Sequence, residues 1–356
     1  MRDVRKVTIR DVARRAGVAR ATVSQALGGK RPVSAATRER VLAAVRELGY
    51  QPNATARSLA LRQTRTIGLA LPLHPSGALP EGPFFGFIAG AADRLAQHDY
   101  KLLCVMSRDV RGDDVASLAS AGHVDGMLLL QVRRADPRVA ALRAAGLPFV
   151  AIGRPRDSAG LALVDADLAR AAAMAVDHLY AMGHRRIALL TACLDGLPVY
   201  GFGYYALIGF RHAHRAHRLP FNHVQVLSYD PAEGPGAALP SSADRAREFT
   251  ALITTTDYEA ATALHALSSQ GRCVPGDVSL VTLGDSVLTA LAQPPITVVR
   301  FSVADETRLA VDMLIELLAG QQPQPLERIV PVELLARGSA GPVSDCLKTS
   351  DGGTEK

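Results

Sequence analysis

VTIRDVARRAGVARATVSQALGGKRPVSAATRERVLAAVRELGYQPNATARSLALRQTRTIGLAL, residues 7 to 71 of a 356-residue chain, reads as three short capped helices running into a proline-led segment. Thr8 with Asp11 three residues on is a helix start of capping-box type, and Val12, Ala13 and Ala16 supply an apolar face before Gly17 stops the helix. After the turn Gly17-Val18-Ala19, a second helix over about 20 to 27 puts Val23 and Leu27 at i, i+4, facing inward, and leaves Arg20, Ala21 and Gln25 outward. Gly28-Gly29 ends it. Ser34 then caps a third helix with Val41, Val45 and Leu48 as its core stripe and Gly49 as its stop. Two short helices across a tight turn form a pattern suited to the major groove of DNA, while a small bundle that merely packs on a larger domain is the plainer alternative.

Charge favours the first reading. Residues 1 to 65 hold 15 Lys/Arg against 4 Asp/Glu, a net of +11, so the other 291 residues carry −5 of the overall +6. A cationic end on a mildly acidic body suits phosphate neutralisation at that end, with affinity that falls steeply as salt rises. The length exceeds one ordinary domain, and 48% apolar with 21% charged residues is ample for a large core. The first residues are interrupted by charge every few positions, and no run approaches a membrane span, so a cytoplasmic protein is expected. Cys104, Cys193, Cys273 and Cys346 lie far apart without metal-site spacing, and the first three are expected to be buried, reduced thiols.

Outward from the opening stretch, the residue pattern becomes specific. V-T-I-x-D-V-A-x-x-A-G-V, T-V-S, V-S-x-x-T-R-x-R-V, L-G-Y-x-P-N and A-R-S-L, all within 7 to 71, closely resemble the LacI/GalR family of bacterial transcriptional regulators. The resemblance implies base reading by Arg20, Ala21 and Gln25 and phosphate contacts from Thr22, Ser24, Tyr50 and Asn53. Arg20 suits guanine O6 and N7, Gln25 suits adenine, and Ala21 reaches no further than a thymine methyl. Two positions depart from the pattern: Ala19 stands where the family usually has Ser, and Gly28 where it usually has Asn. In the family, residues 51 to 62 form a hinge helix, with Leu59 as a minor-groove wedge and Arg57 beside it. Alone in water, a segment this short is below the length of a stable helix. Packing of Leu59 near Ile67 is the alternative.

From Ile67 on, apolar runs of strand length alternate with amphipathic stretches: IGLALP, KLLCVM, VDGMLLL and PFVAIG, then RRIALLTA, VQVLSY, ALITTT and VSLVTLGD. Uninterrupted apolar strands of this kind imply parallel sheets covered on both faces. The expected architecture is an all-α helix-turn-helix domain (7 to 50), a hinge (51 to 62), an α/β effector-binding and dimerisation domain of two doubly wound lobes (65 to 340) like the family's periplasmic-binding-protein-like domain, and a disordered tail (341 to 356). Further resemblance lies in Pro83 to Phe85, Val124 to Gly126 and His178 to Ile187. Ligands of such folds sit between the lobes, at the carboxyl ends of strands.

Candidate effector residues are Phe84, Phe85, Arg154, Tyr200, Tyr205, Asp257 and Asp285, with Phe202 and Tyr204 adding to an aromatic set suited to stacking. Family members that bind sugars or purines commonly use an arginine and an aspartate at positions that here are Ala206 and Gly284. Their absence favours a less polar or aromatic-stacked effector, with a sugar held by Asp285, Asp257 and Arg154 as the alternative. A core role for single aromatics and a helix-cap role for Asp285 weigh against each assignment. Gly201 to Ala206 matches G-x-G-x-x-A, but the nearest expected strand ends near Ala192, so a cleft loop is expected rather than a dinucleotide site. His212, His214 and His217 have no neighbouring ligand-type residue in sequence and are expected on a solvated helix face. No catalytic group, cofactor or metal is expected. The polar segment from Ser344 lacks apolar heptads, which implies a homodimer rather than a tetramer on a palindromic double-stranded operator. A soluble small-molecule binder or sugar enzyme with an incidental basic tail is the alternative function.

Overall fold

Thr8 opens the first helix: its backbone N–H and its hydroxyl both donate to the Asp11 carboxylate, at 3.0 and 2.7 Å. In the computed structural model, which describes residues 7–28, 33–50, 63–72, 84–107, 112–194, 197–219, 225–230, 232–239 and 249–343, this helix is α1 (Ile9–Ala16). It is followed by α2 (Arg20–Gly28) and α3 (Ala35–Leu48). Gly17 and Gly49 close α1 and α3 in the left-handed conformation, and the Ser34 hydroxyl accepts from the Thr37 amide. Val12, Ala16, Val23, Ala26, Val41 and Ala44 make one core, edged by Leu27, Val45, Leu48 and Tyr50. The expected hinge, with Asn53, Arg57 and Leu59, lies outside the described residues, as does the chain from 344 on.

The chain divides into two compact units, Met1–Thr64 and Arg65–Lys356. The second contains two sheets. The first has strand order β12-β5-β4-β3-β1-β2, all parallel, from β1 (Thr66–Pro72), β2 (Lys101–Ser107), β3 (Gly126–Leu129), β4 (Phe149–Ile152), β5 (Leu163–Ala166) and β12 (Glu327–Val330). Alternation along these strands feeds two cores. Ile67, Leu69 and Leu71 face α4 (Phe84–Ala96) and α11 (Val303–Leu318), while Ala70, Met127 and Leu129 face α5 (Asp113–Ser120) and α6 (Pro137–Ala145).

The second sheet runs β13-β11-β10-β9-β6-β7, with β8 (Val226–Tyr229) also on β6 (Ile187–Leu194). Its other strands are β7 (Leu197–Pro198), β9 (Ala251–Thr254), β10 (Ser279–Leu283), β11 (Thr297–Phe301) and β13 (Val332–Leu335), the last antiparallel to β11. Leu189, Ile253 and Val281 pack beneath α7 (Leu168–Ala181) and α8 (Gly201–Ala216). Leu190, Leu252 and Leu280 pack beneath α9 (Asp257–Ser269) on the other face. The chain crosses between lobes three times, after β5, after β11 and after β12. Two doubly covered lobes joined by three crossovers put the carboxyl ends of β3, β4, β9 and β10 around one cleft.

Several local expectations are corrected. Gly201 to Ala206 is the first part of α8, not a loop. His212 lies exposed on the helix face as expected, but His214 is fully buried, its Nδ1 hydrogen-bonded to the Phe210 carbonyl, and the half-buried His217 meets the Asp177 carboxylate at 2.6 Å. Cys104 and Cys273 are exposed and Cys193 half-buried, all three as free thiols.

Candidate functional site

In α2 the inward positions are filled by Val23 and Ala26, both buried, which forces the opposite stripe outward. Arg20, Ala21 and Ser24 are exposed there, and Thr22 and Gln25 are half-buried. Ala19 supplies no side-chain cap, but its carbonyl accepts from the Thr22 and Val23 amides at 2.9 and 3.1 Å, so the helix starts at Arg20 all the same. Tyr50 is half-buried against the three-helix core with its amide bonded to the Val45 carbonyl. The exposed face of α2 thus carries a long cation, a methyl and a hydroxyl in a cationic unit, a composition suited to base edges flanked by phosphates.

The cleft is built on loops that follow the strands. Below it, Arg138 donates to both Asp136 oxygens, with Nη2 at 2.7 Å, and to the carbonyls of Leu130 and Gln131 at 2.9 and 3.2 Å. Burial pushes the Asp136 carboxyl up, but the bonds and charge of Arg138 outweigh it and hold the group below its ordinary value. Asp136 also accepts from the Arg133 amide at 3.0 Å, so this buried pair sets the loop that carries Arg133 and Arg134.

Across the cleft stand the aromatics at the start of α8. Tyr200 and Phe202 are stacked with centroids 5.1 Å apart, and Tyr204 meets Tyr205 edge-on. Arg154 lies over the Tyr205 ring, 4.7 Å from its centroid, and is ion-paired with Glu327. Arg134 lies over Tyr204 at 3.8 Å. Asp257 is 5% exposed; one carboxylate oxygen accepts from the Tyr258 amide at 3.0 Å and the other, Oδ2, has no partner. The Nε atoms of Arg134 and Arg154 are likewise buried without a hydrogen bond. Buried donors and a buried acceptor left unused just after β3, β4 and β9 are what a polar ligand satisfies.

Other candidates are engaged elsewhere. Asp285 accepts from Arg337 at 2.8 Å and from Thr289 at 2.7 Å, while Ser286 caps α10 (Val287–Leu291). Phe84 packs on the first-lobe core and Phe85 is 68% exposed. Gly284 has φ 115°, a conformation that side chains rarely adopt, so a substitution there would strain the backbone. Arg133, Arg134 and the buried Glu259 escaped the sequence reading. Glu259 accepts from Tyr229, from the Thr255 amide and hydroxyl and from the Thr256 amide, and burial pushes its carboxyl up to about 7. The T-x-x-E box Thr256 to Glu259 was a readable signal for it.

Among the described residues no helix is long and apolar enough to cross a membrane, and no cluster of His, Cys, Asp or Glu is arranged to hold a metal.

Comparison with known proteins agrees with both halves. Residues 8–53 match the model of the bacterial regulatory proteins of the lacI family, and 176–340 match a periplasmic binding protein-like domain. The HTH-type transcriptional regulator CelR of Thermobifida fusca is 32% identical over 339 residues, 94% of this chain and 98% of that protein. The solved transcriptional regulator CelR-cellobiose complex superposes with a TM-score of 0.71 at 31% identity, covering 94% of this chain and all of the other. The Lac repressor dimer bound to operator and the anti-inducer ONPF superposes at 0.78 with 24% identity over 95% of this chain and all of that one, a likeness of fold. A capped helix-turn-helix unit, two doubly wound lobes and this full-length likeness lead to one conclusion: the chain belongs to the LacI family of bacterial transcriptional regulators, a family of DNA-binding proteins and not of enzymes.

Proposed function

We propose that the protein is a homodimeric repressor of a catabolic operon that reads a palindromic operator through Arg20, Ala21 and Gln25, with Thr22, Ser24, Tyr50 and Asn53 on phosphates. In the 51 to 62 segment Leu59 serves as the minor-groove wedge, and Arg57 serves a phosphate or the packing of the hinge. The observation that carries this is the exposed Arg20, Ala21 and Ser24 stripe of α2 within a segment of net charge +11. The homodimer is supported by large apolar side chains left in water: Phe85 on α4, Leu103 and Met106 on the edge strand β2, and Val287 and Leu291 at i, i+4 on α10. A second copy of the chain would cover such surfaces.

The effector we propose is a saccharide held in the cleft. A sugar ring stacks on Tyr200, Phe202, Tyr204 or Tyr205, and its hydroxyls satisfy Asp257 Oδ2 and the free Nε atoms of Arg134 and Arg154. The relative crystallised with cellobiose supports this class, and the unused polar atoms support it from within. Thermal-shift screening against mono- and disaccharides tests it. A sugar that raises the melting temperature of the wild type but not of Asp257→Ala is the expected result. Stabilisation by aromatic acids and by no sugar would replace the saccharide with a stacked aromatic effector.

A further inference from the structure

The two lobes touch at the cleft through backbone as well as side chains. The Arg134 amide donates to the Val199 carbonyl and the Gly201 amide to the Val132 carbonyl, both at 3.1 Å, so that Arg133 and Tyr200 pair as a short antiparallel bridge between lobes. The Arg156 amide, bonded to the Arg134 carbonyl at 2.8 Å, ties the bridge to the segment after β4. Three side-chain rungs run alongside: the Arg133 charge acts on the Tyr200 hydroxyl against the upward push of burial, Arg134 lies over Tyr204, and Arg154 lies over Tyr205. Each rung has its arginine on the first lobe and its tyrosine on the second.

Gly201 is the tightest point. It is the first residue of α8, and the first amides of a helix have no acceptor within the helix, so its bond to Val132 is a cap supplied by the opposite lobe. Its backbone is not in the left-handed region, so its own conformation does not call for glycine. A Cβ there would nevertheless collide with the Arg154 carbonyl oxygen, a backbone atom that no rotamer change can move aside.

We infer that residues 132–134 and 199–201 form a clasp that holds the lobes closed over the cleft, and that Gly201 is the positioning residue that lets it close. A ligand that enters or leaves between the lobes has to part this clasp. Its role in effector control rests on the regulatory reading above, whereas the clasp itself is a property of the fold.

Single-amide hydrogen exchange on the full-length protein, without DNA or any small molecule, tests the clasp separately from that reading. The Arg134 and Gly201 amides should exchange at least about a hundredfold more slowly than in an unstructured peptide. In Gly201→Ala both should speed up at least about tenfold, while Leu130 and Gly284, whose amides bond within a single lobe, stay protected. Free-chain exchange at Arg134 and Gly201 in the wild type would overturn the inference. So would unchanged protection in Gly201→Ala. If that variant loses protection throughout, the Arg134→Ala/Arg154→Ala double variant decides. It removes two rungs without touching the bridge, and should accelerate the Gly201 amide at least about threefold. No acceleration in that variant would overturn the clasp.

Discussion

Arg138 shows how much one side chain fixes beneath the cleft. Its guanidinium binds both oxygens of Asp136 and the two carbonyls that follow β3, those of Leu130 and Gln131, and its side chain is only 10% exposed. Taking it away strands a buried carboxylate, so Arg138→Ala should cost about 3–5 kcal/mol in denaturant unfolding. Arg138→Lys should recover little of that, because a point charge cannot supply the fork of donors. A loss under about 1 kcal/mol would show that water takes over the role. At this scale the α2 face was legible, since helical period alone sends Arg20 and Ala21 outward once Val23 is inside. The cleft was less so. Arg133 and Arg134 carry no periodic signal, and their partners Tyr200 and Tyr204 lie more than sixty residues away.

Among elements, the strands read correctly from sequence were runs of apolar residues, whether interior and buried like β3, β4, β9 and β10 or at a sheet edge like β2 and β8. The interior strand β11 was passed over although Val298 and Val299 are buried in it, whereas three others missed have physical reasons. β12 and β13 are sheet edges and carry Glu327, Arg328 and Glu333, and β5 is an interior strand interrupted by Asp165. Asp165 is 4% exposed beside the first crossover, and burial pushes its carboxyl up to about 7 against the pull of Arg154. Its folded form therefore keeps a proton that the unfolded chain releases near pH 4. Stability from this group is full below that pH and is lost as pH rises through about 7. Relative to Asp165→Asn, which cannot titrate, the wild type should lose melting temperature between about pH 4 and 7 and level off above it. A constant difference across that range would mean that Asp165 is ionised in the fold. Buried Glu306, whose carboxyl is raised by burial and by Asp165, would then deserve the same substitution.

For the whole molecule, charge and apolar surface divide the labour. The +11 segment is suited to phosphates, and the exposed apolar residues of both lobes are suited to a second copy. Val287→Asp/Leu291→Asp should shift the protein from dimer to monomer in sedimentation and weaken operator binding, because a two-fold site needs two recognition helices held together. A dimer that survives the double change would move the interface elsewhere.

The central claim is that α2 reads sequence. Selecting bound fragments from a random DNA pool with the purified protein, and sequencing them, tests it most directly. A two-fold symmetric consensus is expected in the wild type. In Arg20→Ala, preference for one guanine per half-site should relax, at a cost of about 1–3 kcal/mol. No enrichment, or an enriched sequence indifferent to Arg20, would contradict the account.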